Sequence, residues 1–216
     1  MMSLKNLRAV VADDHPLLLQ GLEDTLKKGG VNVVGAASDG STALKLITDY
    51  HPDVAVLDIE MPYLTGFAVA EECRKKGLLT KVIILSYHKE AEFIVQAKSL
   101  HIAGYLLKED TNLEIFKCIE KVMQGEFYYS PSILHKDLNT ANTSLEKLEL
   151  LSPSERKILK LIASQLSSQA IADKLHVSER TIEKHRSNII GKLALSGHAN
   201  SLSLWAVEQK AVIMSF

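Results

Sequence analysis

Residues 7–16 read LRAVVADDHP, and residues 54–62 read VAVLDIEMP. In both, a short run of apolar residues ends abruptly in aspartate. Apolar residues at consecutive rather than alternate positions fit strands covered on both faces, as in a parallel sheet. Working outward from Leu7–Ala12 and Val54–Leu57, the runs Val31–Ala37, Val82–Leu85 and Gly104–Leu107 repeat the pattern. The segments between them carry helical periodicity, for example Leu17, Leu18, Leu22 and Leu26, or Phe67, Val69, Ala70 and Cys73. Five strand–helix units in series predict an α/β fold, a five-stranded parallel doubly wound sheet with helices on both faces.

The chain has 216 residues, enough for one large domain or two small ones. No apolar run approaches the roughly 20 residues that span a bilayer, and the opening MMSLKNLRAV lacks an apolar signal core. Cys73 and Cys118 form neither a CxxC pair nor a Cys/His metal spacing, which reads as reduced thiols and a cytoplasmic protein. Residues 151–216 hold nine Lys/Arg and five acids, a charge of +4, whereas the remainder holds sixteen against twenty-one, a charge of −5. Two domains with different partners follow from that asymmetry. The expected division is a first domain over 1–127, a Ser/Asn/Thr-rich linker over 128–150 and a second domain over 151–216.

Ligands of open parallel sheets bind beyond the carboxyl ends of the strands. Here those ends read Asp13-Asp14, Asp58, Ser86 and Lys108. Any one of them has a plain explanation as a helix cap or a solvated charge, but together they define a chemistry. Clustered carboxylates need a cation, and hard oxygen ligands suit Mg²⁺. An Asp beside such a cation can attack a phosphoryl group, with Ser86 and Lys108 supplying donors to the transferred oxygens.

The segments VADDHP (11–16), LDIEMP (57–62), ILSYH (84–88) and GYLLKED (104–110) resemble the receiver domain of bacterial two-component response regulators, a flavodoxin-like fold. The resemblance implies that Asp58 is the phosphoacceptor, phosphorylated by a sensor histidine kinase. It implies that Asp14 and Asp58, with the main-chain carbonyl of Glu60, hold Mg²⁺, and that Asp13 acts largely through water. Lys108 would contact the phosphoryl group, Ser86 would be the switch hydroxyl and Tyr105 the switch aromatic, turning inward on phosphorylation. Tyr87 is bulkier than the small residue common after the switch hydroxyl, and Glu60 stands where it can orient or repel water. His15 and His88 lie nearby without an expected metal role.

From Ser152 the pattern is helical, with helices expected over 153–165, 168–175, 179–193 and 198–213. Ser152-Pro153-Ser154-Glu155 has the spacing of a capping box, and Ser167 and Ser178 cap the next two helices. A short helix, a turn and a longer basic helix make a helix-turn-helix. At 100° per residue, Ile182, Ile189, Ile190 and Leu193 fall on one side of the third helix, and Lys184, Ser187, Asn188 and Gly191 on the other. A face of that composition suits a DNA groove.

This part resembles the LuxR-type four-helix DNA-binding domain, and with the receiver it is similar to NarL/FixJ-type response regulators. The resemblance implies base contacts from Glu183, Lys184 and Ser187 and phosphate contacts from Arg180, Thr181, His185 and Lys192. Gln165 departs from the family by standing where Gly is common. Trp205 is expected in the core, and the last helix in a homodimer that binds paired half-sites about 34 Å apart on double-stranded DNA.

The implied protein is a cytoplasmic, phosphorylation-controlled transcription regulator and not an enzyme. Two other readings fit parts of the sequence. An aspartyl-phosphate phosphohydrolase would use Glu60 as acid/base, but leaves the basic helices unexplained. A receiver serving only as a docking or dimerisation module would keep DNA binding without phosphorylation.

Overall fold

The computed structural model describes residues 5–133, 146–195 and 200–215. They divide into two compact units, one built on a parallel sheet and one wholly helical.

The chain runs β1 (Arg8–Ala12), α1 (Pro16–Lys28), β2 (Asn32–Ala37), α2 (Gly40–Tyr50), β3 (Val54–Asp58), α3 (Gly66–Lys75), β4 (Lys81–Ser86), α4 (Ala91–Ser99), β5 (Gly104–Leu107), α5 (Thr111–Met123) and β6 (Tyr128–Tyr129); all of these but α4 make up the sheet unit, and α4 groups with the helical unit. The strand order is β2-β1-β3-β4-β5-β6 and every pairing is parallel. The chain steps from β1 outward to β2 and then returns to the other side of β1 for β3. The two diverging connections open a crevice beyond the carboxyl ends of β1 and β3.

Burial explains the consecutive apolar runs. Val10, Val11, Val54, Val56 and Leu57 have no exposed surface, whichever face they point to. On one face Val11, Val56, Ile83 and Leu106 pack with Leu22 and Leu26 of α1 and with Ile115, Ile119 and Val122 of α5. Helix starts are set locally: Asp39 accepts from the Thr42 amide, Thr65 from the Ala68 amide, and Pro16 opens α1. Gly66 opens α3 directly behind β3, where a Cβ would lie 2.2 Å from the Asp58 carbonyl oxygen, so no larger residue fits.

The expectation of five strands is corrected to six. Tyr128 and Tyr129, placed in the linker by composition, pair with Gly104 and Tyr105 as β6. The Ser130 hydroxyl accepts from the Leu107 amide at 2.8 Å, and the Ser130 amide donates to the Tyr105 carbonyl at 2.9 Å. An otherwise open edge of β5 is thereby satisfied, which the Ser/Pro composition of this stretch conceals. The expected linker residues 134–145 lie outside the described residues.

Besides α4, the helical unit has a helical turn at 146–149 followed by α6 (Pro153–Ala163), α7 (Ser168–Leu175), α8 (Glu179–Lys192), α9 (Ser201–Glu208) and α10 (Lys210–Ser215). Its core includes Leu148, Leu151, Ile158, Leu159, Ile162, Ile171, Ile182, Ile189, Leu193, Leu202 and Ala206. The single last helix expected over 198–213 is two, with Gln209 between them. The bend lets both Val212 and Ile213 be buried, which one straight amphipathic stripe shared with Leu202 and Ala206 would not. Residues 198–199 of that expected helix lie outside the described residues. Trp205 is half-buried instead of sitting in the core.

Candidate functional site

β1 and β3 lie side by side, so Asp13 just past β1 and Asp58 at the tip of β3 face one another across the crevice. Asp58 is still in the ladder, paired with Leu85, and Ser86 is paired with Leu107. Both are held by the sheet and not by a loop. Asp13, Asp58 and Ser86 are all buried. Ligand atoms of Asp13, Asp14, His15 and Asp58 lie within 4.8 Å of one another. Lys108, in the 3₁₀ turn after β5, brings its Nζ to 2.9 Å from both Asp13 Oδ2 and Asp58 Oδ2, with its side chain 5% exposed.

Three carboxylates against one ammonium leave this pocket net negative. Burial pushes the Asp58 carboxyl above its ordinary value, the Lys108 ammonium opposes that, and Asp13 adds to it. Burial works against the Lys108 charge as well, but hydrogen bonds to Asp13 and Asp58 outweigh it and hold the ammonium above its usual range. Acid and base shift in the same direction for different reasons, burial leading at Asp58 and the two aspartates prevailing at Lys108. Such a donor set fits a divalent cation.

Ser86 and Tyr105, the residues expected to switch, meet at one residue of the backbone. The Ser86 hydroxyl accepts from the His88 amide at 3.0 Å, and the Tyr105 hydroxyl donates to the His88 carbonyl at 2.9 Å. Tyr105, expected to turn inward on phosphorylation, is already completely buried. The Tyr87 ring is 64% exposed, with its centroid 5.3 Å from Lys108 Nζ. The Glu60 carboxylate lies 3.5 Å from His88 Nε2. Lys89 pairs with Glu109 at 2.6 Å.

The sequence puts His15 near the site without a metal role, and the structure sets its ring against the aspartates. Its Nδ1 is 2.8 Å from Asp14 Oδ1 and 3.1 Å from Asp13 Oδ1, so the ring belongs to the carboxylate cluster. Adjacency to the aspartate pair was the available signal. The position of Tyr87 over Lys108 had none, because the two residues are brought together by the β4–β5 pairing.

In the helical unit, α8 buries Ile182 and Ile189 and exposes Glu183, Lys184, Ser187, Asn188 and Gly191, with Arg180 exposed at its start. Thr181 is engaged in the Ser178 cap, and the Ser168 hydroxyl donates to Glu183. His185 is half-buried, and its Nδ1 has no hydrogen-bond partner among the described residues. Arg186 donates to the Ser203 hydroxyl at 3.0 Å. Lys192, expected toward phosphate, pairs with Glu155 at 2.7 Å while its side chain stays 42% exposed. Glu155 also receives the Ser152 amide, completing the capping box of α6. Burial pushes the Glu155 carboxyl up, but Lys192 and the Ser152 donors prevail and hold it below the ordinary range.

A parallel sheet with an acidic crevice joined to a helix-turn-helix defines a two-part signalling and DNA-binding protein. The model described as the response regulator receiver domain matches residues 9–120, and that of the bacterial regulatory proteins of the luxR family matches residues 149–204. The chain belongs to the response regulators that carry a receiver and a LuxR-type DNA-binding domain, a family of transcription regulators and not an enzyme class.

The chain is 37% identical over 201 residues to a transcriptional regulatory protein NarL of Mycobacterium tuberculosis (strain ATCC 25618 / H37Rv), covering 92% of this chain and 93% of that one. It is 29% identical over 206 residues to the nitrate/nitrite response regulator protein NarL of Escherichia coli (strain K12), covering 93% and 95%. Among solved structures, the signal receiver domain of a Mycobacterium tuberculosis NarL response regulator is 43% identical with a TM-score of 0.54, covering 56% of this chain and 99% of that one. RcsB from Salmonella enterica serovar Typhimurium shares the fold at 23% identity with a TM-score of 0.60, covering 97% and 99%.

Proposed function

We propose that Asp58 is the phosphoacceptor of this response regulator, and that its phosphorylation controls DNA binding through α8. The observation that carries this reading is the pocket itself: Asp13, Asp58 and Lys108 joined at 2.9 Å distances at the carboxyl ends of neighbouring strands. Asp13, Asp14 and Asp58, with the carbonyl of Glu60, would hold Mg²⁺, which when bound neutralises the crowded carboxylates. An Asp58 carboxylate oxygen attacks the phosphorus of a phosphohistidine on a sensor kinase. The new O–P bond forms as the N–P bond breaks, and the electron pair and a proton end on the departing imidazole. Lys108 exchanges its contact with the Asp58 carboxylate for the transferred oxygens, and Ser86 donates its hydroxyl to them. The added charge is about −1.5 to −2 if the general phosphoresidue value applies.

Ser86 accepts from the His88 amide, so any movement of this hydroxyl toward the phosphoryl group is felt directly by the loop after β4, which is the part that would report phosphorylation. Glu183, Lys184, Ser187 and Arg180 are exposed on or beside one face of α8 and would meet bases and phosphates, with Thr181 and His185 at its edge. Lys192 is assigned first to Glu155 and only second to a phosphate. A homodimer on paired half-sites of double-stranded DNA, in the cytoplasm, completes the proposal. No helix of the described residues is long and apolar enough to cross a membrane. The receiver is placed from residue 1 through β6, and the DNA-binding domain from residue 151.

Wild type and Asp58→Ala, incubated with Mg²⁺ and acetyl phosphate or with beryllofluoride, test this by mass and assembly state. Phosphoryl uptake by wild type alone, with a change of assembly, is the expected result. DNA binding by a wild type that takes up nothing would leave the receiver as a docking module, and sustained turnover of phosphate esters would make it a phosphohydrolase.

A further inference from the structure

At the opposite end of the sheet from Asp58, the amino ends of β4 and β5 and the carboxyl end of α3 enclose a cavity of about 340 Å³. Its apolar lining includes Cys73, Val82, Ile102 and Val122, all buried. Burial raises the Cys73 thiol to about 11, so this wall is neutral and unreactive at physiological pH. The mouth adds Leu79, 91% exposed, and Phe127, 59% exposed, two large apolar side chains left in water beside the hollow.

The charges at the mouth are of one effective sign. Arg74 and Lys81 line the cavity, are exposed, and make no ion pair among the described residues. The one acid that lines it, Glu126, is neutralised by Lys121 at 2.9 Å. His101, also at the mouth, is held in the left-handed region at φ 57°, a conformation that costs a residue with a Cβ free energy. The volume lies at the lower end of the range for small-molecule pockets, and its lining offers polar and apolar surface in nearly equal measure.

We infer that this cavity binds a small organic anion, an apolar body ranging from a medium-length chain to an arylnaphthalene, whose carboxylate or sulfonate is met by Arg74 and Lys81. The apolar body covers Leu79 and Phe127, and the anionic group offsets two cations that the fold leaves unpaired. β4 runs from Lys81 and Val82 at this cavity to Ser86 at the phosphoryl site, so an occupant would sit on the same strand as the switch hydroxyl without touching it.

The probe is 1-anilinonaphthalene-8-sulfonate, titrated by fluorescence into the full-length protein, with octanoate and 1-octanol as competitors. The expected result is saturable one-to-one binding, displaced by octanoate and about tenfold less well by octanol, with amide shifts confined to residues around Val82, Ile102 and Phe127. The double variant Arg74→Ala/Lys81→Ala changes exposed side chains only, so it should keep the wild-type unfolding midpoint and weaken octanoate about tenfold or more. Ala103→Trp, which fills the cavity, should abolish binding. The inference is overturned if binding does not saturate, if octanol competes as well as octanoate, if the charge variant binds unchanged, or if the shifts fall on the apolar surface of Leu204 and Val207. A site that accepts only an acidic peptide, and neither small anion, would also overturn it.

Discussion

The Tyr105 hydroxyl donates to the His88 carbonyl at 2.9 Å while the Tyr105 ring is completely buried. With Ser86 holding the amide of the same residue at 3.0 Å, the loop after β4 is gripped at both polar atoms of one peptide position. Tyr105→Phe removes one grip without changing volume. Expected outcomes are a loss of about 1 kcal/mol in unfolding free energy, unchanged phosphoryl uptake at Asp58, and a smaller change in DNA affinity on phosphorylation. Denaturant titration, mass and a DNA-binding isotherm on the same preparation check all three.

Tyr87 shields Lys108 from water. A partly exposed cation–π contact contributes about 0.5–1 kcal/mol, so its loss should change rates by a few-fold and not by orders of magnitude. Tyr87→Ala should both take up phosphoryl from acetyl phosphate faster and lose it to water faster, as expected if the ring over Lys108 also screens the neighbouring Asp58. Tyr87→Phe keeps the ring and should match wild type in both rates. Equal rates for Ala and wild type would show that the ring guards nothing.

Gln165 ends α6 at φ 63°, in the region that favours glycine. The left-handed conformation costs a residue with a Cβ about 1–2 kcal/mol. Glycine removes that cost but loses about 0.5–1 kcal/mol to its freer unfolded chain. Gln165→Gly should therefore stabilise the protein by about 0.5–1 kcal/mol, seen as a raised denaturation midpoint, and Gln165→Ala should not.

Glu155 links the start of α6 to the end of α8 through Lys192. Because its folded carboxyl lies below the ordinary value, the stability it contributes is full above the ordinary carboxylate range. That stability is lost as the pH falls through the lower folded value. Glu155→Gln should cost about 1.5 kcal/mol at neutral pH and flatten the acid side of the stability profile below about pH 4.5. Lys192→Ala should show its effect first in stability, and DNA affinity per folded molecule should fall less than for Lys184→Ala. Thermal melts across pH with a DNA isotherm at fixed salt distinguish these.

Much of this molecule is local chemistry and could be read along the chain. Apolar runs broken by aspartate define strands and their functional ends, because side chains buried on both faces leave polar groups only where the strand stops. Serine caps and the Ile182/Ile189 stripe define the helix-turn-helix for the same reason of period. What composition concealed was pairing. Tyr128 and Tyr129 lie in a stretch that looks like linker until the open edge of β5 is present to receive it, and Gln209 interrupts a helix whose propensity continues unbroken.

The amino-acid sequence by itself determined the two-domain plan, the strand ends that bear Asp13, Asp58, Ser86 and Lys108, and the face of α8 turned from its core. Each follows from a short-range rule of spacing, capping or burial. Only the tertiary structure decided that His15 joins the carboxylates, that Lys192 turns to Glu155, that Tyr87 covers Lys108 and that Arg74 and Lys81 share a cavity mouth. Those relationships join separate elements of the chain, or hang on a side-chain direction that spacing leaves open. Side chains so placed choose their partners by the charge and space that packing brings within reach.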